Sequence, residues 1–386
     1  MKFVVAPDSF KGSLSAVEAA NAMEEGIKRV FPHSEVVKKP IADGGEGTVD
    51  ALIVATGGKK INVPVKDPLG RDIEGFLGIL GDGRTAAIEM AAASGLTLLK
   101  EKERNPLITS TYGTGQLILK AVELGCQEMI IGIGGSATND GGAGMAQALG
   151  VVFLDKKGRV LPPGGQYLKD LAYIDVSGMD RRLKKLQVMV ACDVDNPLYG
   201  ERGASRVYGP QKGATPDDVI VLDEALKNYA KVIKEELGID VAGIPGGGAA
   251  GGLGAGLVAF LNGILKPGIE IVLEAIDFES CLKDAALVLT GEGRIDEQTA
   301  YGKAPIGIAR VAQKHQIPVL AFAGALGDGF QAVYSHGIDF VSANIQSIIG
   351  LDEAIQDSYC LLVENVERAM RAVKTGMKLS QQKPVI

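Results

Sequence analysis

Several residue types are scarce in this 386-residue sequence, and each scarcity excludes a class of protein. Tryptophan is absent, and the three histidines show no H-E-x-x-H spacing, which argues against a histidine-based zinc site. The four cysteines lie far apart, at Cys126, Cys192, Cys281 and Cys360. This spacing indicates buried thiols in a reducing compartment and no disulfide or zinc framework.

Positive charge and long apolar runs are scarce as well. Lys and Arg total 40 against 47 Asp and Glu, a formal net charge of −7, so we expect no nucleic-acid partner. No apolar run reaches the ~18 residues of a membrane span, so we expect no membrane partner. The opening residues, MKFVVAPDSF, lack the features of a signal peptide, which predicts a cytoplasmic protein. The oligomeric state stays open, a homo-oligomer included.

Glycine, in contrast, is abundant. It accounts for 52 residues that follow apolar runs without a fixed period, a distribution typical of loops and not of collagen. Short apolar runs alternate with helical patterns near both chain ends, which predicts a parallel sheet with helices on its faces. Residues 60–89 instead show β-like runs separated by turn signals, which predicts antiparallel strands.

The length favours two domains. We expect an α/β fold with a discontinuous domain of residues 1–80 plus 285–386, into which a second α/β domain of residues 81–284 with a mixed sheet is inserted. In the first domain we predict strands near residues 2–6, 35–41, 287–290, 318–323 and 340–344, and a final helix at 352–373.

Two polar loops follow the first two predicted strands. The loop APDSFKGS places Asp8, Ser9 and Lys11 at a strand's carboxyl end, where α/β proteins usually bind ligands. The loop ADGGEGT places Asp43 in the equivalent position. A turn and a helix cap explain the shape of the first loop but not Asp8 and Lys11. Complementing a helix dipole explains Glu46 better than Asp43.

Two glycine-rich loops lie in the middle of the chain. The loop GIGGSATNDGGAG, residues 132–144, could cradle phosphates with its backbone amides, although it matches neither a P-loop nor a dinucleotide motif. Its candidate nucleotide-binding residues are Gly134, Gly135, Ser136, Thr138, Asn139 and Asp140. The loop at residues 245–256 has no charged group and suits either a nucleotide or close helix packing.

Three further loops carry charged candidates. Asp193 and Asp195 in ACDVDNPL could both bind Mg²⁺, or could form an Asx-turn before a proline. Lys212 in GPQKGAT is a candidate nucleotide-binding residue, with a solvated surface lysine as the alternative. Glu292 and Arg294 in TGEGRID suit a charged substrate, with a local ion pair as the alternative.

The chain has no G-x-S-x-G motif for hydrolysis and no dinucleotide fingerprint for hydride transfer. Carboxylates, lysines, arginines and glycine backbone are the parts that phosphoryl transfer needs. A phosphatase or isomerase of a phosphorylated small acid could use the same loops, and a non-catalytic sensor of such an acid is a further alternative.

Six of these motifs in this order, APDSFKGS, IADGGEGT, GIGGSATNDGGAGM, ACDVDNPL, GPQKGA and TGEGRID, resemble the type 1 bacterial glycerate kinase family. The resemblance implies ATP-dependent phosphorylation of D-glycerate with Mg²⁺, to 2-phosphoglycerate in most members, with 3-phosphoglycerate as the alternative product. It also implies that the domain formed by both chain ends is flavodoxin-like, with the active site in the cleft between the domains.

The roles of individual residues follow as hypotheses from chemistry. Lys11 or Arg294 would pair with the glycerate carboxylate. Asp43 or Asp193 would receive the proton of the attacking hydroxyl. Asp193 and Asp195 would hold Mg²⁺, while residues 132–144 with Lys212 would bind the nucleotide phosphates. Asp8, Ser9 and Glu292 complete the predicted substrate site.

Overall fold

The structure of the chain, a computed structural model, describes residues 1–41, 47–301, 303–345 and 347–381. The predicted site residue Asp43 therefore lies outside the described residues. Internal contacts divide the chain into two units, residues 1–43 with 272–386 and residues 44–271. We call them the terminal unit and the inserted unit.

The strands and α-helices follow each other in alternation along much of the chain. The strands are β1 (Lys2–Val5), β2 (Glu35–Lys38), β3 (Lys59–Lys66), β4 (Asp72–Ile79), β5 (Thr85–Glu89), β6 (Glu128–Gly132), β7 (Val152–Asp155), β8 (Leu171–Asp175), β9 (Gln187–Ala191), β10 (Ile264–Lys266), β11 (Ala285–Ile295), β12 (Val319–Leu326) and β13 (Phe340–Ala343). The helices are α1 (Ala16–Val30), α2 (Thr48–Thr56), α3 (Ala91–Ser94), α4 (Tyr112–Glu123), α5 (Ala143–Ala148), α6 (Ala204–Tyr208), α7 (Pro216–Leu237), α8 (Ala249–Leu261), α9 (Gly268–Ala275), α10 (Phe278–Cys281), α11 (Ala304–Lys314), α12 (Leu351–Gln356) and α13 (Ser358–Gln381).

The terminal unit contains a five-stranded parallel sheet in the order β13-β12-β11-β1-β2. From β1 the chain continues through α1 to β2 on one side, and from β11 it continues through α11 to β12 on the other. Counted within the unit, the strand order is 2-1-3-4-5, the flavodoxin-like order with its switch point between the first and third strands. The prediction of a doubly wound parallel sheet formed by both chain ends is confirmed.

Helices α1 and α13 pack on the sheet of the terminal unit and share one apolar core with it. Helix α1 begins with a capping box, since the Glu18 amide donates to Ser15 Oγ at 3.2 Å and the Ser15 amide donates to Glu18 Oε2 at 2.9 Å. The predicted final helix is in fact two helices, because α12 ends before Asp357 and α13 begins after it. The apolar repeat continues across this break, so spacing alone did not reveal it.

The inserted unit contains a six-stranded mixed sheet in the order β10-β9-β6-β5-β4-β3. Its strands β3, β4 and β5 are antiparallel, as predicted for residues 60–89, and the remaining pairs are parallel. Because β3 and β4 pair with β5, they belong to this sheet. Residues 59–79 therefore lie in the inserted unit, whereas the sequence pattern placed residues 1–80 in the first domain.

The two glycine-rich segments of the inserted unit pack against each other. The Gly141 amide donates to the Gly251 carbonyl at 3.0 Å. A Cβ at Gly251 would lie 2.0 Å from the Thr138 carbonyl oxygen, and one at Gly256 would lie 2.5 Å from that of Gly141. Of the two alternatives for residues 245–256, the structure thus shows close packing. No described helix is both long and apolar enough to cross a membrane.

This packing predicts that Gly256→Ala destabilises the inserted unit by about 1–3 kcal/mol, because the added methyl group meets backbone that cannot move aside. Differential scanning calorimetry of the whole chain measures the effect. The matched control is Gly376→Ala on α13, where an added Cβ meets nothing within 4 Å and alanine should stabilise by up to ~1 kcal/mol. Equal unfolding temperatures for both variants would contradict the packing argument.

Candidate functional site

A pocket of about 340 Å³ lies within the terminal unit, at the carboxyl ends of β1 and β11. These are the strands between which the chain direction switches, and such points form ligand-binding crevices in doubly wound folds. Five predicted substrate residues line this pocket together: Asp8, Ser9, Lys11, Glu292 and Arg294.

Backbone hydrogen bonds hold the loop after β1 against β11. The Asp8 amide donates to the Gly291 carbonyl at 2.8 Å, and the Thr290 hydroxyl donates to the Ala6 carbonyl at 2.8 Å. Asp8 is buried, and its carboxylate accepts the Ser9 amide at 2.6 Å. A Cβ at Gly293 would lie 3.2 Å from the backbone nitrogen of Lys11, so the glycine lets this loop lie close to β11.

The carboxylate of Glu292 is buried at the other wall of the pocket. It accepts the Thr299 hydroxyl at 2.7 Å, and Lys303 Nζ lies 4.0 Å from its second oxygen. Arg294 is exposed and lies 3.3 Å from Asp296, so the local ion pair that the sequence left as an alternative is present. Arg294 nevertheless lines the pocket as well.

The pocket therefore combines three cations, Lys11, Arg294 and Lys303, with two buried carboxylates, Asp8 and Glu292. Cations bind carboxylate and phosphate groups through charge-assisted hydrogen bonds, while buried carboxylates accept hydrogen bonds from hydroxyl groups. The arrangement suits a small hydroxylated anion or a phosphate group. Lys303 was missed in the sequence because a single lysine before a helical proline carries no distinguishing signal.

A second group of predicted residues lies at the carboxyl edge of the inserted unit's sheet. The strand register aligns Glu89, Gly132, Ala191 and Lys266 in one row, so the loops after β5, β6, β9 and β10 emerge side by side. This row was not predicted, since strand register cannot be derived from the separate loops.

Asp193 and Asp195 are exposed in this row's loops. Asp193 Oδ1 accepts the Gly268 amide at 2.9 Å, and both oxygens of Asp195 accept from Arg202, at 2.7 and 2.9 Å. The described residues contain no group of three or more His, Cys, Asp or Glu that could hold a metal ion. Mg²⁺ bound with a nucleotide needs only one or two carboxylates, which these two residues can supply.

Glu89, at the end of β5, was also missed. Its carboxylate is buried and accepts the Val49 amide at 2.8 Å, and burial raises its pKa. It therefore holds the first turn of α2, the helix that begins directly after the loop containing Asp43. A lone glutamate at a strand end gives no sequence signal for this long-range contact.

The glycine-rich loop at residues 132–144 divides into an exposed and a buried part. Gly134 and Gly135 are exposed, whereas Ser136, Thr138, Asn139 and Asp140 are buried. Asp140 accepts the amides of Thr111, Gly142 and Gly144 at 2.8–3.1 Å. Burial raises the pKa of Asp140, and its contacts join the loop to the start of α4 and α5.

Lys212 is buried beside this loop and donates to the Thr138 carbonyl at 2.7 Å. It is therefore not the solvated lysine that the sequence left as an alternative. Burial lowers the pKa of Lys212 to about 7, and the charge of Asp140 opposes that shift. Among the described residues, Thr138 Oγ1 and Asn139 Oδ1 have no hydrogen-bond partner, so these oxygens remain for water or a ligand.

Two α/β units with charged loops at the carboxyl ends of their parallel strands suit a small-molecule phosphotransferase. The model of the glycerate kinase family matches residues 3–374. The chain belongs to the glycerate kinase family, and it is an enzyme of that family, a phosphotransferase with an alcohol group as acceptor.

Individual relatives are similar over nearly their whole length. The chain is 53% identical over 375 residues to a glycerate kinase of Halalkalibacterium halodurans, covering 97% of this chain and 98% of that protein. It is 52% identical over 382 residues to a glycerate 2-kinase of Escherichia coli, covering 99% of each. A crystal structure of a Salmonella typhimurium LT2 protein proposed to be glycerate kinase 2 matches with a TM-score of 0.91 and 49% identity, covering 98% of this chain and 99% of that one.

The buried Lys212 predicts a pH-dependent stability. Its pKa is about 7 in the folded chain against an ordinary 10.5, so between these values the unfolded chain binds more protons. The contribution of Lys212 to stability therefore rises as pH increases through this window, and below it the buried charge destabilises fully. Relative to Lys212→Met, the wild type should unfold at an increasingly high temperature between about pH 7 and about pH 10.

Thermal unfolding at the two pH values measures this difference. The control is Lys231→Met on α7, whose lysine is exposed and whose difference from wild type should not change with pH. If the difference in unfolding temperature between the wild type and Lys212→Met is the same at both pH values, the burial of a titrating lysine is contradicted.

Proposed function

We propose that the chain catalyses the ATP-dependent phosphorylation of D-glycerate to 2-phosphoglycerate. The observation that carries this proposal is the terminal-unit pocket, where Lys11, Arg294 and Lys303 surround two buried carboxylates. Glycerate carries one carboxylate, which the cations of the pocket can bind, and two hydroxyls, which can donate to its buried carboxylates. The E. coli relative named glycerate 2-kinase supports the 2-phosphate product.

The pocket's cations bind and orient glycerate in this proposal. Lys11 or Arg294 pairs with its carboxylate, and the exposed Arg294 is held by Asp296 so that its guanidinium remains at the pocket wall. Asp8 and Glu292 accept hydrogen bonds from its hydroxyl groups and so fix which hydroxyl faces the nucleotide. Phosphoryl transfer depends mostly on such positioning and on positive charge beside the transferred group.

Asp43 and Asp193 remain the two proposed acceptors of the hydroxyl proton. In support, both follow strands as acidic residues in glycine- or proline-containing loops. Asp193 is oriented by the Gly268 amide at 2.9 Å. A positioned carboxylate needs only to receive the proton late, because the transition state of phosphoryl transfer is loose.

We propose that Asp193 and Asp195 hold Mg²⁺. The metal would neutralise charge on the nucleotide phosphates when bound. Arg202 donates to both oxygens of Asp195, and each oxygen keeps a second lone pair that a metal could use. The exposed backbone of Gly134 and Gly135 supports a role in phosphate binding, while Thr138, Asn139, Asp140 and Lys212 would support the loop from beneath.

The direct test is ³¹P NMR of the products formed by the purified chain from ATP, Mg²⁺ and D-glycerate. We expect a 2-phosphoglycerate signal that appears with ADP and that disappears when EDTA removes the metal. A 3-phosphoglycerate signal would refute the proposed regiochemistry. Saturable glycerate binding without any turnover would refute the kinase and favour a sensor.

A further inference from the structure

The terminal-unit pocket has a second end that differs in chemistry from the charged end. There the lining is apolar and comes from Ile345, Leu351, Ile355 and Leu361, with Asn344 among them. Leu351 is 75% exposed and Ile355 is 40% exposed, although both face a pocket. A three-carbon acid offers no apolar surface that would cover these side chains.

The strand register separates the two ends. Glu292 is aligned with Ala323, and Ala323 with Ala343, directly before Asn344. With neighbouring strands about 5 Å apart, the apolar end lies roughly 10 Å along the sheet edge from the charged end. Between them Gly293 and Gly324 leave the floor bare, and a Cβ at Gly324 would lie 2.6 Å from the Gly293 carbonyl oxygen. The pocket thus suits a long ligand with an anionic end and an apolar end.

The side-chain amide of Asn344 is held in one orientation by Asn365, which is in turn oriented by Arg368 and Ser342. Arg368 Nη2 donates to Asn365 Oδ1 at 3.2 Å, and arginine can only donate. Asn365 therefore turns its Nδ2 toward Asn344 and donates to Asn344 Oδ1 at 2.9 Å. Ser342 Oγ adds a second donor to Asn365 Oδ1 at 2.8 Å.

This chain of hydrogen bonds leaves a donor facing the pocket. Asn344 is 97% buried, since its exposed fraction is 3%, and it lines the pocket. No hydrogen bond within the described residues engages its Nδ2. Asn344 Nδ2 is not among the fully buried side-chain atoms that lack a partner, so it is open to the pocket and can donate to an acceptor atom of a ligand.

We propose that the apolar end binds the purine base of the nucleotide, with Asn344 Nδ2 donating to a ring nitrogen. A purine offers a flat apolar face to Leu351 and Ile355 and acceptor nitrogens at its edge. The ribose would cross the floor of the pocket at Gly293 and Gly324. The terminal phosphate would then reach the glycerate that Lys11 or Arg294 holds by its carboxylate, and Lys303 would bind the transferred group. This inference rests on the proposed kinase function, because it identifies the co-substrate of the same pocket.

The sharpest test reverses the amide of Asn344 without changing its size. In Asn365→Asp, the new carboxylate still accepts from Arg368 and Ser342 but can no longer donate to Asn344. Asn344 then turns its Nδ2 inward and presents Oδ1 to the pocket. We expect the Kd of ATP, measured by calorimetry on the full chain with Mg²⁺, to rise about five-fold or more, while the KM for glycerate stays near the wild-type value.

The matched control is Ser342→Ala. It removes one contact to Asn365 but leaves Arg368 to hold the orientation, so the Kd of ATP should change little. Nucleotide analogues add a second readout on the wild-type chain. Replacing the contacted ring nitrogen by carbon in 1-, 3- or 7-deaza-ATP should weaken binding, and Asn365→Asp should abolish that loss.

Leu351→Ala tests the apolar contact with a side chain that is exposed, so folding is not at risk. It should weaken ATP binding several-fold, whereas Ile220→Ala, at an exposed position on α7, should not. The inference is overturned if Asn365→Asp and Leu351→Ala leave the Kd of ATP unchanged. It is also overturned if they raise only the KM for glycerate, or if Leu351→Ala instead dissociates a dimer.

Failure of the proposed function would look different. If the wild-type chain binds ATP with these dependences but forms no phosphoglycerate, the nucleotide site stands and the kinase proposal falls.

Discussion

The terminal unit depends on the parallel pairing of β1 with β11, which joins the two ends of the chain. Phe3, Val4 and Val5 are aligned with Leu287, Val288 and Leu289 and are buried with them. This pairing creates the switch point of the sheet, because the chain leaves β1 in one direction and β11 in the other. The helices on its faces and the loops above it are arranged around that one contact.

The chemistry of the pocket follows from where these two strands end. β11 continues beyond the pairing with β1 to Ile295, so Glu292 and Arg294 rise beside the loop that carries Asp8 and Lys11. The glycines of this extension keep its backbone close to both neighbours, as shown by the contacts a Cβ would make at Gly291 and Gly293. Charged side chains from residues nearly 300 positions apart are thereby concentrated in one small volume.

The glycine-rich loops of the inserted unit have a different physical role. Their high glycine content is typical of phosphate-binding loops, yet Gly251 and Gly256 let two backbone segments touch. The buried Asp140 and Lys212 belong to this packing, with pKa values shifted by burial. Only Gly134 and Gly135 keep exposed backbone. The same residue type therefore supplies both close packing and an open edge within one loop.

Much of this organisation could be predicted from the sequence, because period and capping are local. The capping box of α1 and the antiparallel run that leads into β5 are of this kind, and the end of β1 placed Asp8 correctly. Glu292 and Arg294 were expected in a loop, but they lie within β11, which continues to Ile295. Burial and register are not local, and so they were not predictable. Nothing in the sequence showed that Lys212 is buried, that β3 and β4 belong to the inserted unit, or that Asn365 orients Asn344.

The central claim is that the charged end of the terminal-unit pocket binds the acid substrate. The most direct measurement is the KM for D-glycerate of Arg294→Ala and Lys11→Met, with the exposed Arg310→Ala of the same unit as control. The account predicts that at least one of the two pocket variants raises that KM about ten-fold or more, since a charge-assisted hydrogen bond is lost, while the control does not. An unchanged KM in both pocket variants would contradict it.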